Sequence, residues 1–275
     1  MGSEGVLVEA LQQPATTAIA LLLLAVYLLL HQRHLSYADV GLSYDRVVTH
    51  RELWRCAACQ VAHLDFIHLA FNLSTLWSLG LVKRTSGLGP GYFLHTTVLL
   101  FLLCPAICVL LYHVLIVALK REQYRDVTAV GYSCVLFGWM TLLATRQPGG
   151  ITMLPLFGLA SVPMWLTPWA SLLITSLLVP KASFIGHLAG ILAGYAAAFG
   201  LLSWLSPYWT VSLVAWAALL TGHAAARTQQ LTIPYIRLPA AAAGLRLLGG
   251  GGSSSSGGGG DVESGGGGAP PAAKM

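Results

Sequence analysis

Three groups of residues in this chain could do chemistry together: one serine, a histidine far downstream, and a polar trio upstream. Ser133 follows Gly131 and Tyr132 and opens the apolar run Cys134-Val135-Leu136-Phe137-Gly138-Trp139-Met140. A short charged loop (Lys120, Arg121, Glu122, Arg125, Asp126) precedes it, so the spacing predicts Ser133 just inside the start of a helix that enters a membrane. A serine there is commonly a packing or back-bonding residue. It becomes a nucleophile only when a base stands opposite to take its proton. His187 is the candidate base. Gly186, Gly190 and Gly194 recur every four residues around it, the small-xxx-small spacing that lets two membrane helices approach closely. His187 is three residues before Gly190 and seven before Gly194, on the same close-approach face. If that helix packs against the one headed by Ser133 with those ends aligned, the imidazole reaches the hydroxyl and acts as its general base.

The trio, His63, His68 and Asn72, lies at the mouth of another apolar run, where with Asp65 it interrupts the hydrocarbon pattern. His68 and Asn72 are four apart and share a helix face, and His63 is expected about a turn and a half above them. Facing lipid, such residues are costly, so they must point into the bundle interior or a wet cavity, or hydrogen-bond another helix. A solute pore lined by the same face is a further use, but no internal repeat or pair of broken helices accompanies it.

The elements that position these groups follow from composition. Of the 275 residues, 56% are hydrophobic and 9% charged, and the apolar residues come in long runs. That composition predicts an all-α polytopic membrane protein. The carboxylates agree, because Glu4, Glu9, Asp39, Asp45, Glu52, Glu122, Asp126, Asp261 and Glu263 fall between or outside the runs, and only Asp65 lies near a run's edge. The net charge of +5 is spread through loops, which excludes a nucleic-acid stripe and suits lipid headgroups.

Six membrane helices are expected, over 15–30, 63–82, 92–119, 127–145, 164–179 and 184–204. The N-terminal tail, 1–14, lacks the basic residues of a signal or transit peptide, so the first run reads as a retained helix. Residues 32–62 form a loop too long to be structureless, and its apolar and aromatic content predicts a compact element in the headgroup region. Cys56 and Cys59 there have no second pair and no histidines at zinc spacing, so filler or a luminal disulfide is expected rather than redox or zinc chemistry, and no cofactor is implied. His95 and His113 sit toward opposite ends of the third run and are not expected to act together. Residues 15–205 thus make a membrane domain. The juxtamembrane segment 206–248 holds a brief apolar stretch, 208–220, that reads as an interfacial helix or a seventh short span. From Gly249 the Gly/Ser-rich chain reads as a flexible tether. Charge bias does not orient the bundle.

Trp54-Arg55, then His63, His68 and Asn72, then Gly131-Tyr132-Ser133, then Gly186-His187-Leu188-Ala189-Gly190 with Gly194 occur in the order of the rhomboid intramembrane serine proteases, and over 15–204 the chain resembles that family. Residues 129–137 and 183–192 are most similar to its eukaryotic endoplasmic-reticulum branch. The resemblance implies a six-helix bundle and a Ser133–His187 dyad without a third carboxylate. Asn72 and His68, with the Ser133 N–H, would then form an oxyanion hole, supported by His63. Phe137 would pack on the imidazole and Gly131 would leave room beside the nucleophile. Transmembrane proteins would be the substrates, cleaved in spans weakened by Gly, Pro or polar residues, with the short, proline-led fifth helix as a lateral gate. An endoplasmic-reticulum or Golgi membrane is implied. One position departs from the pattern: Cys134 stands where the family has glycine, which implies a slower enzyme. Some relatives are inactive and only bind membrane clients, but those usually lack the serine or the histidine.

Overall fold

The computed structural model describes residues 6–85, 87–147, 150, 153–156, 160–178 and 183–228. The tether expected from Gly249 lies outside these residues, as does the chain from 229 on. Two units divide the chain, Met1–Leu219 and Leu220–Met275; the architecture below is that of the first.

Helix α1 (Val6–Gln12) leads into α2 (Pro14–Gln32), whose first position is Pro14, a residue that costs nothing where no N–H is needed. Leu23 and Leu30 of α2 are buried, while Leu21, Leu22, Leu24, Leu28 and Leu29 face outward. A row of exposed leucines on a helix suits hydrocarbon, because every backbone group is already bonded within the helix. By length and composition α2 and the stretch Pro90–Ala118 can each cross a membrane, and Phe66–Val82, Met164–Leu177, Phe184–Ala198 and Pro207–Leu220 are shorter apolar helical stretches.

The loop after α2 is the compact element that its composition predicts. It contains α3 (Tyr37–Val40), a π-helical turn at Asp45–Thr49 and α4 (Arg55–Val61). Ser36 donates to Asp39 from both its N–H (2.8 Å) and its hydroxyl (2.7 Å), which holds the Asp39 carboxyl below its ordinary range. Arg55, 2% exposed, donates to the carbonyls of Ala38 and Gly41, each at 2.9 Å, and pairs with Glu52. One guanidinium thereby gathers three points of the loop. Leu42, Tyr44, Val47 and Cys59 then pack as a second core against Cys108, Tyr112, Ile116 and Ala189.

Helix α5 (Phe66–Thr85) starts later than the sequence implied. Asp65 accepts the His68 N–H at 2.9 Å and caps it, so His63 lies in the turn before the helix rather than on its face. Helix α6 (Pro90–His113) continues as a π-helical turn to Ala118. Helix α7 (Ser133–Arg146) is the centre of the bundle. Val135 to Trp139 and Thr141 to Ala144 are all buried, as in a helix surrounded on every side. Its apolar face joins Leu23, Leu69, Leu76, Phe93, Leu100 and Ala193 in the main core.

Two strands form an exception to the helical pattern: β1 (Met153–Leu156) pairs antiparallel with β2 (Ala160–Pro163). A 3₁₀ turn at Met164–Leu166 leads into α8 (Thr167–Leu178). Helix α9 (Phe184–Ala198) ends six residues short of the expected run, and Gly200 shows why. It takes φ +75°, its N–H donates to Ala197 and the Leu201 N–H donates to Ala196, the double bond of a Schellman stop. The stretch 208–220 is part of a longer helix, α10 (Pro207–Thr228).

Candidate active site

The start of α7 is pinned from three sides before Ser133 is reached. Leu42 and Ala129 exchange backbone hydrogen bonds of 3.0 and 2.9 Å, and the Gly131 N–H donates to the Cys59 carbonyl at 2.8 Å. The Tyr132 N–H donates to His63 Nε2 at 3.3 Å. His63 is fully buried, and its other nitrogen lies 3.3 Å from the Val61 carbonyl, so Nδ1 carries the proton and Nε2 is free to accept. Gly131 has φ +115°, a conformation open in practice to glycine alone, and a Cβ there would stand 2.7 Å from His68 Nε2. Both the turn and the approach of His68 therefore require that residue. The chain enters α7 with Ser133 as its first residue, where an α-helix leaves N–H groups without an intrahelical partner.

Opposite, Ser183 caps α9: its hydroxyl accepts the Gly186 N–H at 3.0 Å. His187 sits in the first turn, 4% exposed, and its Nε2 is 2.9 Å from Ser133 Oγ. The rings of Phe137 and His187 stack at 4.3 Å between centroids and 20° between planes, which fixes the imidazole in one orientation. Helices α7 and α9 can come this close because two glycines leave the room. A Cβ on Gly190 would meet Phe137 and the Cys134 carbonyl, and one on Gly194 would meet Thr141 and the Gly138 carbonyl. Gly186 differs from those two. A Cβ there would meet only its own cap, Ser183, while its carbonyl accepts the Cys134 thiol at 2.9 Å.

The polar trio is divided in its tasks. His63 bonds the backbone beside the serine, and His68 lies over Gly131 with its ring 5.1 Å from that of His63. Asn72, 3% exposed, turns its amide back along α5: Nδ2 donates to the His68 carbonyl at 2.9 Å, and Oδ1 has no partner among the described residues. Structure thus brings Ser133, His187, Phe137, Gly131, His68 and His63 together, with Asn72 one turn along and engaged on its own helix.

A cavity of about 30 Å³, roughly the share of one water molecule, opens between Ser133, His187, Gly131, Ser183 and Gln60. Gln60 Nε2 donates to Cys56 and Phe101 carbonyls, which leaves the buried Oε1 unpartnered among the described residues. The spacing argument passed over two more contributors. The Cys59 carbonyl holds Gly131, and Thr175 Oγ1 of α8 lies 3.3 Å from His187 Nδ1. Neither has a motif to mark it. Cys56 and Cys59 are free thiols, and His95 and His113 bond separately to Thr210 (3.0 Å) and Tyr44 (2.7 Å).

Comparison with known proteins places these features in a family. The Rhomboid domain model matches residues 50–204. Rhomboid-like protein 15 of Arabidopsis thaliana is 27% identical over 66% of this chain and 46% of its own length. Rhomboid-type serine protease 2 of Yarrowia lipolytica is 28% identical over 70% of this chain and 63% of its own, and Rhomboid-related protein 4 of Mus musculus is 32% identical over 56% and 47%. The matched region spans about half the length of most of these curated relatives. With more than half of its residues in the domain, and with the helical bundle that the domain requires, this chain belongs to the rhomboid family and is an integral membrane protein.

Proposed function

We propose that this protein is a serine endopeptidase that cleaves transmembrane segments of other membrane proteins. The 2.9 Å contact between Ser133 Oγ and His187 Nε2, made across a glycine-lined helix seam, carries the reading. In this reaction the hydroxyl attacks the scissile carbonyl while Nε2 takes its proton, and the same nitrogen then protonates the leaving amine. An acyl-serine remains, and a water activated by the imidazole releases it. The cavity beside the dyad has room for that water, and Gln60, whose Oε1 has no partner among the described residues, is one of its lining residues.

The oxyanion would form beside the head of α7, where the Ser133 N–H and the helix dipole favour negative charge. His68 stands near it. The Asn72 amide has a second N–H beyond the one given to His68, so it could donate to the oxyanion after a small rotation. The Cys134 thiol donates to the Gly186 carbonyl of α9, and both residues line the cavity beside the dyad. Substrate helices would be cut where Gly, Pro or polar residues loosen them, since a regular membrane helix covers its own carbonyls.

The test is labelling of the purified protein in lipid with a fluorescent serine-directed phosphonate, together with cleavage of a transmembrane substrate. Wild type should label, and Ser133→Ala and His187→Ala should not. Wild type that labels no better than Ser133→Ala would overturn the protease reading in favour of a client-binding rhomboid. An endoplasmic-reticulum or Golgi location is also part of this proposal, on the likeness of residues 129–137 and 183–192 to that branch. Tagged protein found in mitochondria would overturn it.

A further inference from the structure

His187 has two ring nitrogens, and only one faces the serine. Toward the other, Nδ1, stands Thr175 Oγ1 at 3.3 Å. That hydroxyl also lies 2.7 Å from the Ser171 carbonyl and 3.2 Å from the Leu172 carbonyl of its own helix. A threonine hydroxyl has one proton, and the short contact to Ser171 places it there, the i−4 back-bond usual for this residue in a helix. Oγ1 then has only lone pairs to offer His187. Nδ1 must supply the proton of that contact, so Nε2 is left unprotonated toward Ser133, the tautomer that a general base needs.

The position of Thr175 is set by packing. Leu172, one turn earlier, is buried against Phe137 and Ile191, and Trp169, a further turn back, donates to the Tyr195 hydroxyl at 3.1 Å. Trp169, Leu172 and Thr175 are spaced three apart along one side of α8, and all three touch α7 or α9. Phe137 fixes the plane of the imidazole, and Thr175 fixes the hand in which it holds its proton.

We infer that Thr175 is the positioning residue of the dyad, a neutral acceptor in the place where other serine hydrolases keep a carboxylate. The inference rests on the protease reading for its consequence, and its geometry can be tested without catalysis. In imidazolium, after the serine proton has been taken, the Nδ1–H to Thr175 bond also persists and spreads the new charge. Displacing α8 removes the acceptor, so the Nδ1–H tautomer is favoured only while that helix is seated.

The experiment compares wild type, Thr175→Val and Thr175→Ser in lipid nanodiscs by ¹⁵N NMR of the labelled histidines, with the His187 resonances identified by their loss in His187→Ala. Wild type should show His187 protonated at Nδ1, Thr175→Ser the same, and Thr175→Val a mixture of tautomers. Phosphonate labelling should slow about 10- to 100-fold in Thr175→Val and recover to within about 3-fold of wild type in Thr175→Ser. Thermal midpoints should stay together, because valine keeps the shape. An Nε2–H tautomer in wild type would overturn the inference whatever the activity. Equal losses in the valine and serine variants, or a valine variant that labels like wild type, would overturn it while leaving the protease reading in place. Failure of wild type itself to label would remove that reading.

Discussion

Along the seam of α7 and α9 contact is made by missing side chains. Gly190 and Gly194 bring two backbones so near that a single added carbon would strike the carbonyls of Cys134 and Gly138. At the mouth of α5 the means are reversed: His63, His68 and Asn72 hold their neighbours by hydrogen bonds and ring contacts, and one buried acceptor, Asn72 Oδ1, stays unused among the described residues. The seam has one packed arrangement and sets the Ser133–His187 distance. The mouth keeps polar capacity in reserve, on which the proposed reaction would draw to stabilise a transient charge.

Variants can break that contrast. Outside the Ser133–His187 pair, Asn72→Ala should produce the largest effect on rate, raising the barrier by roughly 2.7–4 kcal/mol while the thermal midpoint of the purified protein moves little. An unchanged turnover would show that the amide stays on the His68 carbonyl throughout the reaction. Gly190→Ala and Gly194→Ala should act in the opposite sense, costing up to about 3 kcal/mol of stability through overpacking, read from thermal unfolding in detergent. Labelling would fall with it, and variants as stable as wild type would mean that the seam is looser than described. His63→Ala leaves the Tyr132 N–H without its acceptor. Because that bond is long, the expected loss is near the low end for a buried donor, about 1 kcal/mol, with labelling slowed as the head of α7 loosens. Cys134→Gly should change least: it loses a weak S–H donor and adds a helix glycine, together about 1 kcal/mol. A labelling rate raised more than about 10-fold would show that the thiol restrains the dyad.

How far the chain discloses itself differs between these regions for the same reason. Four-residue glycine spacing is a local pattern, so the approach of α9 to α7 and the face carrying His187 could be read directly. That Gly131 leaves room near the serine was implied by the family resemblance alone, and its φ of +115° adds a need for conformation. His63 was misplaced because periodicity assumes that a run is helical from its first apolar residue. Asp65, two residues later, caps α5 and leaves His63 in the segment before it, where it bonds Tyr132. The end of α9 was missed for a related reason. Hydrophobicity continues to Trp204, but the left-handed Gly200 stops the helix at Ala198. The loop 32–62 was legible in its compactness, but not in the part of Arg55, whose partners are carbonyls of residues with no pattern of their own.

The sequence by itself determined the solvent, the helical class, the family and the identity of the two groups that face each other, because hydropathy, glycine spacing and motif order are properties of residue types along a line. Only the tertiary structure decided which proton each of those groups has to give. The Ser133–His187 distance, the stacking of Phe137 and the back-bonded Thr175 behind Nδ1 join residues from 12 to 54 positions apart. No spacing rule connects them, since hydrogen-bond direction depends on where three separate helices come to rest.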